Sequence, residues 1–123
     1  MSVALYIAAL LAVAVGVAHS VLGERYILTR LFRREDLPKL FGGTEFTTRT
    51  LRFAWHITTI AWWGFAAILV QLAKASVSAS GVALVVGITF VATAIVTLAV
   101  SRAKHLAWPV FAFIGFVALY AAT

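Results

Sequence analysis

The chain has 123 residues, of which 63% are hydrophobic and 11% charged, with a formal net charge of +6. Soluble domains are roughly half apolar and about a quarter charged, so this composition excludes a water-soluble globule, a disordered tail and a fibrous repeat. Cysteine is absent and Met1 is the only methionine, which removes disulfides, thiolate metal sites, iron–sulfur clusters, cysteine nucleophiles and thioether copper sites.

Residues 1–23 carry no charged side chain, and further uncharged runs cover 53–73, 75–101 and 105–123. Each can cross about 30 Å of hydrocarbon as a helix rising ~1.5 Å per residue. None alternates between apolar and polar positions as a barrel strand does. The fold class expected is therefore an all-α membrane protein. It is a four-transmembrane-helix bundle, one integral membrane domain over 1–123, with spans at about 3–22, 52–73, 79–101 and 105–122. A short amphipathic cytoplasmic segment, 23–51, joins the first two spans.

The first run has no base ahead of it, unlike a signal peptide with its positive n-region; Arg25, Arg30, Arg33 and Arg34 follow it instead. Ala4, Ala8, Ala12, Gly16 and Ser20 repeat every fourth position, a candidate packing row of the kind that lets membrane helices approach closely. In the connecting segment Ile27, Leu28, Leu31 and Phe32 lie opposite Arg30, Arg33 and Arg34. That stretch can lie on the bilayer surface with its bases on anionic lipid, or dock a partner. Gly42 and Gly43 interrupt it, and Thr44 or Thr47 is placed to cap the next helix.

In the second span Trp62 and Trp63 fall near mid-depth as packing residues. The third has a small-residue row of Ala79, Ala83 and Gly87, and a hydroxyl row of Thr89, Thr93, Thr97 and Ser101. Those hydroxyls either bond back to carbonyls one turn earlier or line a polar groove, a pore or a subunit interface. Pro109 sits in the first turn of the fourth helix, where its missing N–H costs little.

All four acids and seven of the ten bases lie between residues 24 and 52. Arg102 and Lys104 occupy the third connection and Lys74 stands alone in the second, so nine bases face one side and one the other. The positive-inside rule then places both termini outside and the long segment in the cytoplasm, as in a bacterial inner membrane. It also assigns the positive charge to anionic lipid rather than to nucleic acid. Tyr6 and Tyr120 fall at the outer edge, and Tyr26, Trp55 and Trp108 at the inner one, where aromatic rings anchor in the headgroup layer.

In that frame His19, His56 and His105 lie within ~6 Å of one plane near the cytoplasmic face, beside Glu24, Arg49, Arg52 and Arg102. Arg52 and His56 are four apart and share a helix face. Ionisable groups within a membrane are costly and point to function, although a histidine at the interface can equally cap a helix. The functional options are three. The imidazoles with a carboxylate suit a divalent metal, zinc, nickel or iron. His19 and His56 suit the axial positions of a haem with Arg52 or Arg102 on its propionates. The arginines and histidines together suit an anionic or quinone-like ligand.

No acid lies in a span interior, no glycine-rich phosphate loop is present, and the halves do not repeat in inverted topology. Ser20 adjoins His19, but neighbouring residues on a helix diverge, and no acid is expected to orient the base. Two stretches, His19-Ser20-Val21-Leu22-Gly23-Glu24 and Arg52-Phe53-Ala54-Trp55-His56 running on to Ala61-Trp62-Trp63, resemble small bacterial inner-membrane proteins with four predicted spans and no assigned activity. The resemblance covers residues 19–63; it implies bacterial origin and brings no catalytic residues. The layout is also similar to that of the membrane-associated eicosanoid and glutathione metabolism enzymes, four-helix trimers with a basic cytoplasmic site, by architecture alone. The reading reached is a non-enzymatic membrane protein, a homo-oligomer or accessory subunit, whose His/Arg cluster binds a ligand, ion or partner. The alternatives are a membrane enzyme or redox carrier using the same cluster, and a small oligomeric channel or transporter.

Overall fold

The computed structural model describes residues 1–123 as four helices without a strand. They are α1 (Ser2–Leu31), α2 (Glu45–Ala73), α3 (Ala79–Ser101) and α4 (Ala107–Ala121). By length and composition α1, α2 and α3 can each cross a membrane. The 15 residues of α4 rise about 22 Å at ~1.5 Å per residue, short of a ~30 Å hydrocarbon core. This helix starts two residues later than the sequence suggested: Leu106 is its N-cap, and His105 stands ahead of it with Nδ1 accepting from the Ala107 N–H at 3.2 Å.

The amphipathic stretch after Gly23 is not a separate surface-lying element. Gly23 keeps right-handed angles (φ −62, ψ −48) and the helix runs on through a π-helical segment, Gly23–Leu28, to Leu31. Leu28 becomes one of the most buried side chains, at 1% exposure. The second helix likewise begins at Glu45 rather than near 52, so the true connection shrinks to 32–44. Within it Arg34 Nε donates to Asp36 Oδ1 at 2.8 Å, and these hydrogen bonds hold the Asp36 carboxyl below its ordinary value. Leu40 and Gly43 pair across a tight turn whose central residues, Phe41 and Gly42, are both left-handed. α2 follows Thr44 as expected, but no side chain caps it; the Thr47 hydroxyl donates to Pro38 O at 2.8 Å instead.

Helix α1 packs on α2, α2 on α3 and α3 on α4, and no other pair of these helices is in contact. The bundle is thus a row in chain order, open between α1 and α4. Buried positions recur every seventh residue: Ala9, Gly16 and Gly23 on α1; Thr59 and Ala66 on α2; Gly87, Ala94 and Ser101 on α3. Seven residues are nearly two turns, the repeat of helices in a shallow left-handed crossing. The every-fourth rows read from the sequence drift about 40° around the helix per step, so they leave the seam. Ala4 and Ala79 are exposed, Ala8, Ala12, Ser20 and Ala83 are half-buried, and Gly16 and Gly87 are buried.

On α3 the hydroxyls of Thr89, Thr93 and Thr97 donate to the carbonyls of Val85, Thr89 and Thr93 at 2.7, 2.8 and 2.8 Å. Of the two readings of that row, back-bonding to the preceding turn is the one observed. Thr93 and Thr97 are buried and satisfied within their own helix, whereas the Ser101 hydroxyl, also on a buried residue, accepts from the His105 N–H.

Candidate functional site at the basic end of the first helix pair

The antiparallel pair α1–α2 is stitched by side-chain donors from one face of α2. Trp63 Nε1 donates to Val13 O (3.3 Å), the Thr59 hydroxyl to Gly16 O (3.0 Å) and Trp55 Nε1 to His19 O (2.8 Å). Donors four residues apart on α2 thus meet carbonyls three apart on α1. The two glycines of α1 make this approach possible: a Cβ on Gly16 would lie 2.7 Å from Trp63 Nε1, and one on Gly23 2.1 Å from Trp55 Nε1. Trp62 and Trp63 are packing residues, as expected. Trp55 lies across Gly23 and against α1.

His19 answers Trp55. Its ring stacks on the indole at 4.4 Å with 2° between planes, and its Nε2 donates to Trp55 O at 3.2 Å. Trp62 packs edge-on against the other side, 5.0 Å away. Both rings therefore hold His19 as a packing residue, with Nε2 occupied by a proton and a carbonyl.

The polar centre lies one step towards the basic end. Glu24 accepts from Arg52 Nη2 (2.9 Å) and Nε (3.0 Å) at Oε1 and from His56 Nε2 (3.0 Å) at Oε2. His56 Nδ1 is 2.9 Å from Ser20 Oγ, which is 2.7 Å from Thr59 Oγ1. Arg52 also lies over the Phe32 ring at 4.9 Å. Glu24 is four residues on from Ser20 and so shares its face of α1; it lies in the π-helical segment that begins at Gly23, and such bulges recur at functional sites. Arg52, Glu24 and His56 keep 38%, 35% and 26% of their side-chain surface, so the cluster is reachable from outside.

Counting protons gives the chain a direction. The only hydroxyl proton of Thr59 goes to Gly16 O, so Ser20 donates to Thr59 and must accept from His56 Nδ1–H. The Glu24 carboxylate accepts the Nε2 proton. His56 thus stands between the Glu24 carboxylate and the Ser20 hydroxyl, hydrogen-bonded through both ring nitrogens.

Serine, histidine and carboxylate do come together here, contrary to the expectation that no acid orients a base. The base is His56 rather than His19, and the acid, Glu24, comes from the first helix. The constellation still lacks the parts of an acyl-transfer site. Ser20 is mid-helix, its hydroxyl is directed to Thr59, and no pair of free N–H groups is placed to stabilise an oxyanion. What this geometry does is hold two helices in register and present a partly exposed Arg52–Glu24 ion pair with His56 beside it.

The other residues singled out from the sequence lie elsewhere. His105 packs on α2 between Phe46 (centroids 5.6 Å, stacked) and Phe53 (4.8 Å, edge-on). Arg49 pairs with Glu45 on its own helix. Arg102 is the exposed, left-handed C-cap of α3. A shared depth does not bring the three imidazoles together, because depth leaves rotation about each helix free. No group of three His, Asp or Glu side chains is placed to hold a metal ion. A haem on His19 and His56 would have to break the bonds that occupy His19 Nε2 and both nitrogens of His56. Thr59, Trp55 and Gly23 belong to the site and were not read as such. The signal was the spacing of 52, 55, 56, 59 and 63, one face of a helix.

Glu24→Gln keeps the shape and removes the charge. Because the pair is more than a third exposed, solvent screens it, and the expected loss is about 1 kcal/mol. SDS unfolding at low and high salt checks this: the loss should shrink with salt, and a salt-independent loss would assign it to packing instead.

No protein-family model, curated protein or solved structure matches this chain.

Proposed function

We propose that the chain is a non-enzymatic protein of a bacterial inner membrane, with four spans, both termini outside and the basic end in the cytoplasm. In this reading α4 completes the fourth span despite its length, by lying along α3 in a bilayer that thins to meet it. The cytoplasmic cluster of Glu24, Arg52 and His56, keyed by Ser20, binds an acidic group on a ligand or partner, and the protein works as a homo-oligomer or accessory subunit. The observation that carries this reading is the partly exposed cluster at the end of the α1–α2 pair, where Arg52 and His56 converge on the single carboxylate of Glu24. Ionisable groups at membrane depth are expensive unless they serve a purpose. The open edges of α1 and α4, each touching a single neighbour, support assembly with further helices, and the likeness of residues 19–63 to small bacterial membrane proteins supports the location.

Native mass spectrometry of protein extracted in mild detergent tests it. The wild type is expected to retain a bound species or a higher assembly that R52A/H56A loses while keeping its helical far-ultraviolet spectrum. Identical spectra for the two proteins would end the proposal.

A further inference from the structure

Beyond the α1–α2 cluster, the basic end holds a cavity of about 480 Å³ between the 40–43 turn, the start of α2 and the end of α3. Its walls are of two kinds. Arg49, Lys104 and Ser101 supply donors; Leu40, Phe41 and Phe46 supply an apolar side. We infer that this cavity is a binding site for one anionic phospholipid, with the phosphodiester between Arg49 and Lys104 and the glycerol and upper chains along Leu40, Phe41 and Phe46. The inference rests on the membrane reading above and names the lipid chemistry this end takes.

Three observations carry it. The Arg49 side chain is only 14% exposed, yet a single protein group, the Glu45 carboxylate, accepts from it. A guanidinium has five N–H donors, and the Arg49 donors that Glu45 does not take are not sealed inside the protein, so they are free to meet an anion in the cavity. Charge balance is the second. Arg49 and Lys104 against Glu45, the only acid lining the cavity, leave one net positive charge, matching a singly charged phosphodiester better than a dianion. The third is Phe41. It holds φ +55, a region rare and costly for a bulky side chain, and is 90% exposed; such strain clusters at functional positions. Beside it Leu40 is 46% exposed, and Leu106, next to Lys104 in the α3–α4 link, is 81% exposed. Apolar side chains standing out among bases at a helix end suit the headgroup boundary, and basic pockets between helices there hold anionic headgroups.

Native mass spectrometry with added phosphatidylglycerol, phosphatidylcholine or inorganic phosphate tests the site. Phosphatidylglycerol should fill one saturable site, and phosphatidylcholine and phosphate should not. K104Q and R49Q together should weaken that occupancy about tenfold; F41S, which leaves both cations and the helices in place, should weaken it as well. Equal binding of phosphatidylcholine, competition by phosphate at the same concentration, or phosphatidylglycerol occupancy unchanged in both variants would overturn the inference. Failure of the membrane reading itself is a separate result: wild-type protein in the soluble fraction of lysed cells.

Discussion

Gly115→Leu is expected to force α4 off α3 and to destabilise the protein by about 3 kcal/mol or more, the upper end for overpacking a tight contact. Gly115 lies where the two backbones pass closest. A Cβ there would sit 2.7 Å from Val91 Cγ2, 2.9 Å from the Val91 nitrogen and 3.1 Å from the Gly87 carbonyl oxygen. Two of those three atoms are backbone, so no rotamer change relieves the clash and the helices must separate. Across the same crossing a Cβ on Gly87 would sit 2.9 Å from the Leu119 nitrogen. Lipid does not drive apolar helices together, so close packing of small residues is what joins α3 to α4. SDS unfolding in mixed micelles, followed by far-ultraviolet circular dichroism, should place the variant well below the wild type. Gly115→Ala should fall between them. Gly43→Ala, where nothing lies within 4 Å, serves as the unaffected comparison. Equal midpoints for Gly115→Leu and Gly43→Ala would show that the crossing is not where the pair is held.

The second large effect is at Gly23→Ala. The backbone there is right-handed helix, which alanine accepts, so the cost is steric alone. The new methyl would meet the Trp55 ring at 2.1, 2.4 and 2.7 Å. Trp55 cannot simply swing away, since its indole N–H is held by His19 O and its face by the His19 ring. Displacing it loses the stack and the hydrogen bond, and the expected loss is about 2–3 kcal/mol. A double-mutant cycle with Trp55→Val separates this from a general defect. If the contact is the cause, the second substitution costs much less in the Gly23→Ala background than alone. Strict additivity of the two would exclude it. Because Trp55 and the Glu24–His56 relay share the α1–α2 seam, Gly23→Ala should also loosen the cluster through Ser20 and Thr59.

Composition and hydropathy determined by themselves that the chain is helical and that four apolar segments make up its body; it is the structure that shows three of the helices, not four, to be long and apolar enough to cross a membrane. Those properties depend on what each segment contains, and a segment's contents are visible one residue at a time. α3 illustrates the point: the helix covers the apolar run 79–101, starting where Ser78 accepts from the Gly81 N–H and ending where Arg102 turns left-handed. The pairing of Arg52 and His56 was legible too, since helical spacing alone puts them on one face. Which residues form the site was decided only by the tertiary structure. His19, His56 and His105 share a level along the helices, but the rotation of each helix about its axis sends His19 onto Trp55, His56 onto Glu24 and Ser20, and His105 between two phenylalanines. That rotation follows from the seven-residue seam of small residues, which is set by how closely two backbones can pass and is not a property of either helix alone.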